Sequence, residues 1–328
     1  MVRITIVFSP HWIEAIPFMK KKMEESDAIV LEEPSNKFFE RMLDGLLAPD
    51  DYVYKISEET YVSVPAFPKF TERLCEVLRE LRSKGKKIFQ VEPYFDALER
   101  IYELIDSRGK ESIKDILRDP VLGSVYRAEK DAYVALYTYY ITFSSSFDAA
   151  VESVREYAKA DSRRIKLRLD MRSRRIAELV ELGELKGKIY VEAGDIHQPL
   201  QDLLRDRIDG QIDSCFALEK PSLEISGGEM RFPQPPGDIL TLMYYRGERD
   251  LEKERLLAAR SIIKIILQER EKEKVPSEKE PFPHLAERIF LIKLVNKLDY
   301  DGCRELFYKI RGIPREKAKK IAREFVGM

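Results

Sequence analysis

Three cysteines and three histidines in 328 residues leave little material for thiol chemistry or for a dense imidazole metal site. Cys75, Cys215 and Cys303 are scattered, with no disulfide or metal spacing, which suits a reducing compartment. The chain has no Gly-x-Ser-x-Gly elbow, no Walker loop, no Gly-x-Gly-x-x-Gly fingerprint and no His-Glu-x-x-His helix. Serine-elbow hydrolysis, P-loop chemistry, dinucleotide binding and zincin chemistry therefore lack a local signature. No apolar run approaches the roughly 20 residues needed to span a bilayer. Met1-Val2-Arg3 leads straight into a strand, leaving no room for a signal peptide. A cytoplasmic protein with no membrane partner is the expectation. An excess of one charge is missing too. With Lys+Arg at 57 and Asp+Glu at 58, the net charge of −1 gives no global attraction for nucleic acid or acidic lipid.

What the chain does have is charge of both signs. Charged residues make up 35%, against a usual quarter, and this composition suggests the ion-pair-rich surface of a thermophile. Hydrophobic residues at 44% suffice for a core, and the length predicts a main domain with an appendage.

Short β-branched runs recur along the first two thirds of the chain. Arg3 to Phe8, Asp27 to Leu31, Lys87 to Val91 and Ile189 to Val191 read as buried strands, with Ile212 to Leu218 as a further one. Helical spacing follows at Ile13 to Met23 and Pro68 to Lys84. Tyr52-Val53-Tyr54 and Thr60 to Val64 resemble strands of a hairpin, and Leu223 to Phe232 an irregular or hairpin segment bent at Gly227-Gly228. From Ala97 to Leu185 the pattern is mostly helical, with Ser144 to Ser146 marking a break and an N-cap. Six arginines between Asp161 and Arg175 read mostly as a solvated face. Pro233 to Gly237 looks like a linker, and a charged helix from about Leu251 to Lys274 opens the remainder. The expected architecture is an α/β domain over 1–246, a mainly parallel sheet flanked by helices with a helical insertion at about 97–185. A helical tail over 247–328 follows.

Each strand hands over to a residue that can carry chemistry. His11 follows the first, Glu32 and Glu33 the second, Glu92 the third, and Asp195 and His197 the fourth. Open α/β sheets bind ligands at the carboxyl edge, where strands end. Mixed imidazole and carboxylate donors suit a divalent first-row ion such as Mn²⁺, Co²⁺ or Zn²⁺, which with an open position lowers the pKa of bound water. His11, Glu32, Glu33 and His197 are the expected metal ligands, with Glu92 and Asp195 as further ligand or general base.

The order of these pieces resembles the TraB/Tiki group, a superfamily that also takes in erythromycin esterase and haem-binding ChaN proteins. Its strand, Gly-x-x-His turn, helix, and strand ending in Glu look like Ile4 to His11 and Ala28 to Glu33, with Phe8 in place of the Gly. Its acid-ended third strand is similar to Val91-Glu92-Pro93, where Glu replaces Asp. Its helix with Arg-Asn/Asp-x-x-Met-Ala matches Arg172 to Ala177, with Ser173 at the Asn/Asp position. The second Gly-x-x-His is intact as Gly194-Asp195-Ile196-His197. The resemblance covers roughly residues 2 to 206. It implies a metal-dependent hydrolase acting on a peptide or other acyl bond, with a peptide or small-molecule substrate and Arg172 steadying a carboxylate or anionic ligand. The alternative it implies is a non-catalytic protein holding haem or a small ligand in the same cleft.

At the far end, Ile310 to Ala318 faintly resembles half of a helix-hairpin-helix, but Pro314 lacks one of the needed N–H donors. The tail is therefore read as a packing element, against the main domain or as the contact of a homo-oligomer, rather than as a nucleic-acid site.

Overall fold

The computed structural model describes residues 2–62, 65–143, 145–269 and 273–328. Five strands, β1 (Val2–Phe8), β2 (Ala28–Leu31), β3 (Lys87–Gln90), β4 (Lys188–Ala193) and β5 (Gly210–Phe216), form one sheet in the order β3-β2-β4-β1-β5. Every pairing is parallel. Burial tracks position in the sheet. β2 is buried throughout and β4 after its first residue, whereas the edge strands β3 and β5 mix buried and exposed positions.

Two compact units share the chain. The first comprises Met1–Arg127 and Lys166–Glu219 and contains the sheet; the second comprises Ala128–Ile165 and Lys220–Met328 and is helical. These bounds differ from the expected 1–246 and 247–328. The tail does not stand alone, because Ile262 and Ile263 (helix Leu251–Leu267), Leu294 (Pro283–Asn296) and Phe307 (Tyr300–Ile310) share one buried cluster with Phe147, Val151, Leu240 and Met243. Roughly half of the expected helical insertion and the end of the expected α/β domain thus belong with the tail in one core.

Three local expectations are corrected. Residues Pro49–Glu59 are a helix, not a hairpin strand. Pro49 occupies the first turn, Asp50 and Asp51 face the positive end of the helix dipole, and Tyr52 and Ile56 are buried at i, i+4 spacing. Thr60 ends that helix with extended dihedrals; Ser63 and Val64 lie outside the described residues. Glu219–Ser226 is also a helix, and Gly227, with φ +73°, stops it rather than turning a hairpin. The charged helix ends at Leu267, earlier than expected. The serine break holds: Ser146 Oγ accepts from the Ala149 N–H at 3.2 Å, while Ser144 lies outside the described residues. Among the described residues no helix is long and apolar enough to cross a membrane.

Candidate functional site

The register sets the strand ends level. Phe8 pairs with Ala193 and Phe216, and Leu31 with Gln90, so all five strands finish at one edge. Glu32 is the first residue past β2, and Glu92 caps the helix Pro93–Arg108 just past β3. Past β4 the chain turns at once, with the His197 N–H donating to the Gly194 carbonyl at 2.9 Å. The Gly194 N–H donates to Glu32 Oε2 at 2.5 Å.

Beneath this edge lies a buried charge network. Glu32 Oε1 receives Arg168 Nη2 at 2.7 Å and stands 2.6 Å from His197 Nδ1, a close contact without the alignment of a hydrogen bond. Arg168 Nη2 also donates to Glu92 Oε2 at 3.0 Å, and its guanidinium lies 4.3 Å from the Phe95 ring centroid. Arg172 is fully buried. It donates to the Val91 carbonyl at 2.9 Å and the Glu192 carbonyl at 2.7 Å, tying the ends of β3 and β4 together. Its guanidinium stands 3.5 Å from Glu32 and 3.9 Å from Glu92. The expected pairing with these two carboxylates is present as proximity; its hydrogen bonds go to backbone. Burial pushes the Glu32 carboxyl up, but His197, Arg168 and Arg172 outweigh that and hold it well below the usual carboxylate range.

Above the network opens a cleft of about 310 Å³, lined on its polar side by His11, Glu32, Glu33, Asn36 and Glu192 and on its apolar side by Phe67, Phe70 and Phe95. Exposed His11 stacks on Phe70, with centroids 5.4 Å apart. Glu192, 2% exposed, accepts the Glu32 N–H through Oε2 at 3.2 Å, and Glu33 accepts Gln90 Nε2 at 3.2 Å. Among the described residues no cation is hydrogen-bonded to either carboxylate. Burial, with the Glu192 charge behind it, pushes Glu33 up to about 7 against the pull of Gln90 and His11. Burial likewise raises Glu192, with His11 partly opposing it.

The structure thus gathers Glu32, Glu92, Arg172 and His197 in the network, and His11, Glu32 and Glu33 around the cleft. Half-buried Asp195 lines no part of the cleft. Arg174 and Arg175 pair with Asp170 and Glu178 on an exposed face, as expected of solvated arginines. Arg168 and Glu192 were not among the expected site residues. Arg168 was legible as the i, i+4 neighbour of Arg172, one turn away on the same helix face. Glu192 was legible as a carboxylate in an apolar strand, two residues before Gly194.

The expected metal ligand set is not assembled. Among the described residues, no group of three His, Cys, Asp or Glu side chains could hold an ion. Glu32 and His197 face each other, and two guanidiniums take the space where an ion would compete for Glu32. The haem expectation meets a charge mismatch. Two propionates would enter a cleft whose described lining carries three carboxyl groups and no Lys or Arg.

An all-parallel α/β unit with a cleft of carboxylates and apolar side chains at its carboxyl edge is the class that fold and site define. The chain belongs to the same family as an uncharacterised protein of Archaeoglobus fulgidus, 32% identical over 306 residues, spanning 93% of this chain and 97% of that one. No family model and no solved structure matches the chain.

Proposed function

We propose that the cleft hydrolyses a peptide or other acyl bond by general acid–base chemistry carried by its own side chains. The observation behind this reading is the meeting of His11, Glu33 and Glu192 in one cleft at the carboxyl edge of a parallel sheet. A carboxyl group that titrates near neutrality can both give and take a proton at working pH. In this scheme His11 removes a proton from water as the water oxygen bonds to the acyl carbon. Protonated Glu33 then delivers its proton to the leaving nitrogen or oxygen as the acyl bond breaks. Tyr52, kept protonated by burial, is a donor available to the developing oxyanion. Glu32, Arg168, Arg172, Glu92 and His197 act as positioning residues that hold the strand ends and the cleft floor. No step is routed through a metal, because the donors do not assemble one.

The test is a panel of p-nitrophenyl esters and aminoacyl p-nitroanilides with the full-length protein. Glu33→Gln and His11→Ala should each lower kcat by about 10²–10⁴ while the protein stays folded. Wild-type rates no better than buffer, or rates indifferent to both substitutions, would end the reading.

A further inference from the structure

The cleft carries a carboxylate, Glu192, that takes no step in the proposed chemistry. Glu32, Glu33 and Glu192 all line the cleft, and among the described residues only Glu32 of these three forms ion pairs with arginines, Arg168 and Arg172. Glu33 and Glu192 each spend one oxygen, Glu33 Oε2 on Gln90 and Glu192 Oε2 on the Glu32 backbone. Oε1 of each takes no hydrogen bond from a described residue. Glu192 is 2% exposed and lines the cleft, so the carboxylate is largely desolvated with Oε1 left as an acceptor. A desolvated carboxylate with no cation hydrogen-bonded to it is costly, and that cost falls when a cation arrives. The lining also includes the apolar side chains of Ile56, Phe67 and Phe70.

We infer that this cleft selects ligands carrying a protonated amine on an apolar skeleton, with the ammonium on the Glu192 carboxylate and the skeleton against Phe67 and Phe70. This rests on the reading of the cleft as the substrate site and names the substrate class. An ammonium suits the site better than a metal ion. It needs three acceptors at hydrogen-bond distance rather than a tight ligand shell, and among the described residues three metal donors do not converge. Aromatic walls add attraction for a cation and bury the adjoining carbons. A substrate of this class would be an amino-acyl ester or amide, or a peptide read by its amino terminus or a lysine-like side chain.

The experiment compares three probes of one shape, benzylamine, benzyl alcohol and benzoate, titrated into the full-length protein at pH 8 by calorimetry. Benzylamine should bind at least tenfold more tightly than benzyl alcohol, and benzoate should be weakest. Glu192→Gln should remove most of the amine preference while leaving benzyl alcohol binding within about twofold, which also shows that the cleft persists. Equal affinity for amine and alcohol, or an amine preference unmoved by Glu192→Gln, overturns the inference. Turnover separates it from hydrolysis. Neutral esters cleaved as fast as amino-acyl esters would keep the hydrolase and remove the amine selectivity. Amine binding with no turnover would do the reverse.

Discussion

Each compact unit buries a charge cluster, and the two clusters differ in balance. In the helical unit Arg155 donates to Glu254 at 2.6 Å, Tyr244 donates to the same carboxylate at 2.5 Å, and the Arg155 and Glu254 side chains are 11% and 5% exposed. Burial pushes Glu254 up, but Tyr244 and Arg155 bring it below its ordinary value. That carboxylate is matched. In the sheet unit four glutamates, Glu32, Glu33, Glu92 and Glu192, meet two guanidiniums and the imidazoles of His197 and His11, and Glu33 and Glu192 remain raised. A matched buried pair is what a core needs to be stable. Surplus acid facing a cleft raises the carboxyl pKa and lowers stability, a pattern that clusters at functional sites. Burial alone does not distinguish these roles; the count of partners does.

The most severe way to break the comparison removes the matched unit's core. Deleting residues 250–328 strips Ile262, Ile263, Leu294 and Phe307 from the cluster around Phe147, Val151 and Leu240. Helices in 128–165 and 220–249 should then be cut rapidly by protease. Resistance of those segments equal to that in the full chain would show that their core does not depend on the tail. Next in size is Arg172→Ala. It leaves the Val91 and Glu192 carbonyls without their donor and Glu32 and Glu92 with less counter-charge, at a cost of about 3–5 kcal/mol in urea denaturation. Arg172→Lys should recover only part of this, since one ammonium cannot span both carbonyls as the planar fork does. A loss below about 1 kcal/mol would mean that other contacts hold the strand ends.

The smallest effect sharpens the comparison through pH. Folded Glu33 titrates near 7, above its ordinary 4.5, so between these values the folded protein holds a proton that the unfolded chain has released. Its contribution to stability is greatest below 4.5 and is lost as pH rises through about 7. Glu33→Gln removes that slope. The variant should therefore gain on wild type from pH 5 to pH 8, by on the order of 2 kcal/mol after allowance for partial exposure. Parallel stability curves would place Glu33 in an ordinary solvated setting. Glu254→Gln should shift the other way: its lowered carboxyl adds stability above the ordinary range, and the loss appears near neutrality.

Much of the frame was legible before any coordinates. Apolar β-branched runs followed directly by His11, Glu32, Glu92 and Gly194 marked the strand ends, because a buried parallel strand needs an uninterrupted apolar stretch and ends where polar side chains become tolerable. The early helices were legible by periodicity, and Ser146 by its capping chemistry. Tyr52-Val53-Tyr54 misled because aromatic and β-branched residues favour strands intrinsically, while Pro49, the acidic first turn and burial of Tyr52 with Ile56 decided for helix.

Sequence by itself determined the α/β class, the strand ends and the residue types delivered to them. Partnership was left to the tertiary structure. Helical spacing puts Arg168 and Arg172 on one face, but only packing brings that face to Glu32 and Glu92. The apolar run of β4 marks it as buried on both faces, Glu192 included, but only the placement of β4 between β2 and β1 sets Glu192 beside Glu33 at a cleft. Two of the tail's core partners, Phe147 and Val151, were hidden for the same reason, since they lie more than a hundred residues back along the chain from Ile262. Local periodicity specifies which face of an element is buried. The partner of a buried charge, and hence its pKa and its chemistry, depends on distances and desolvation that arise when remote segments meet.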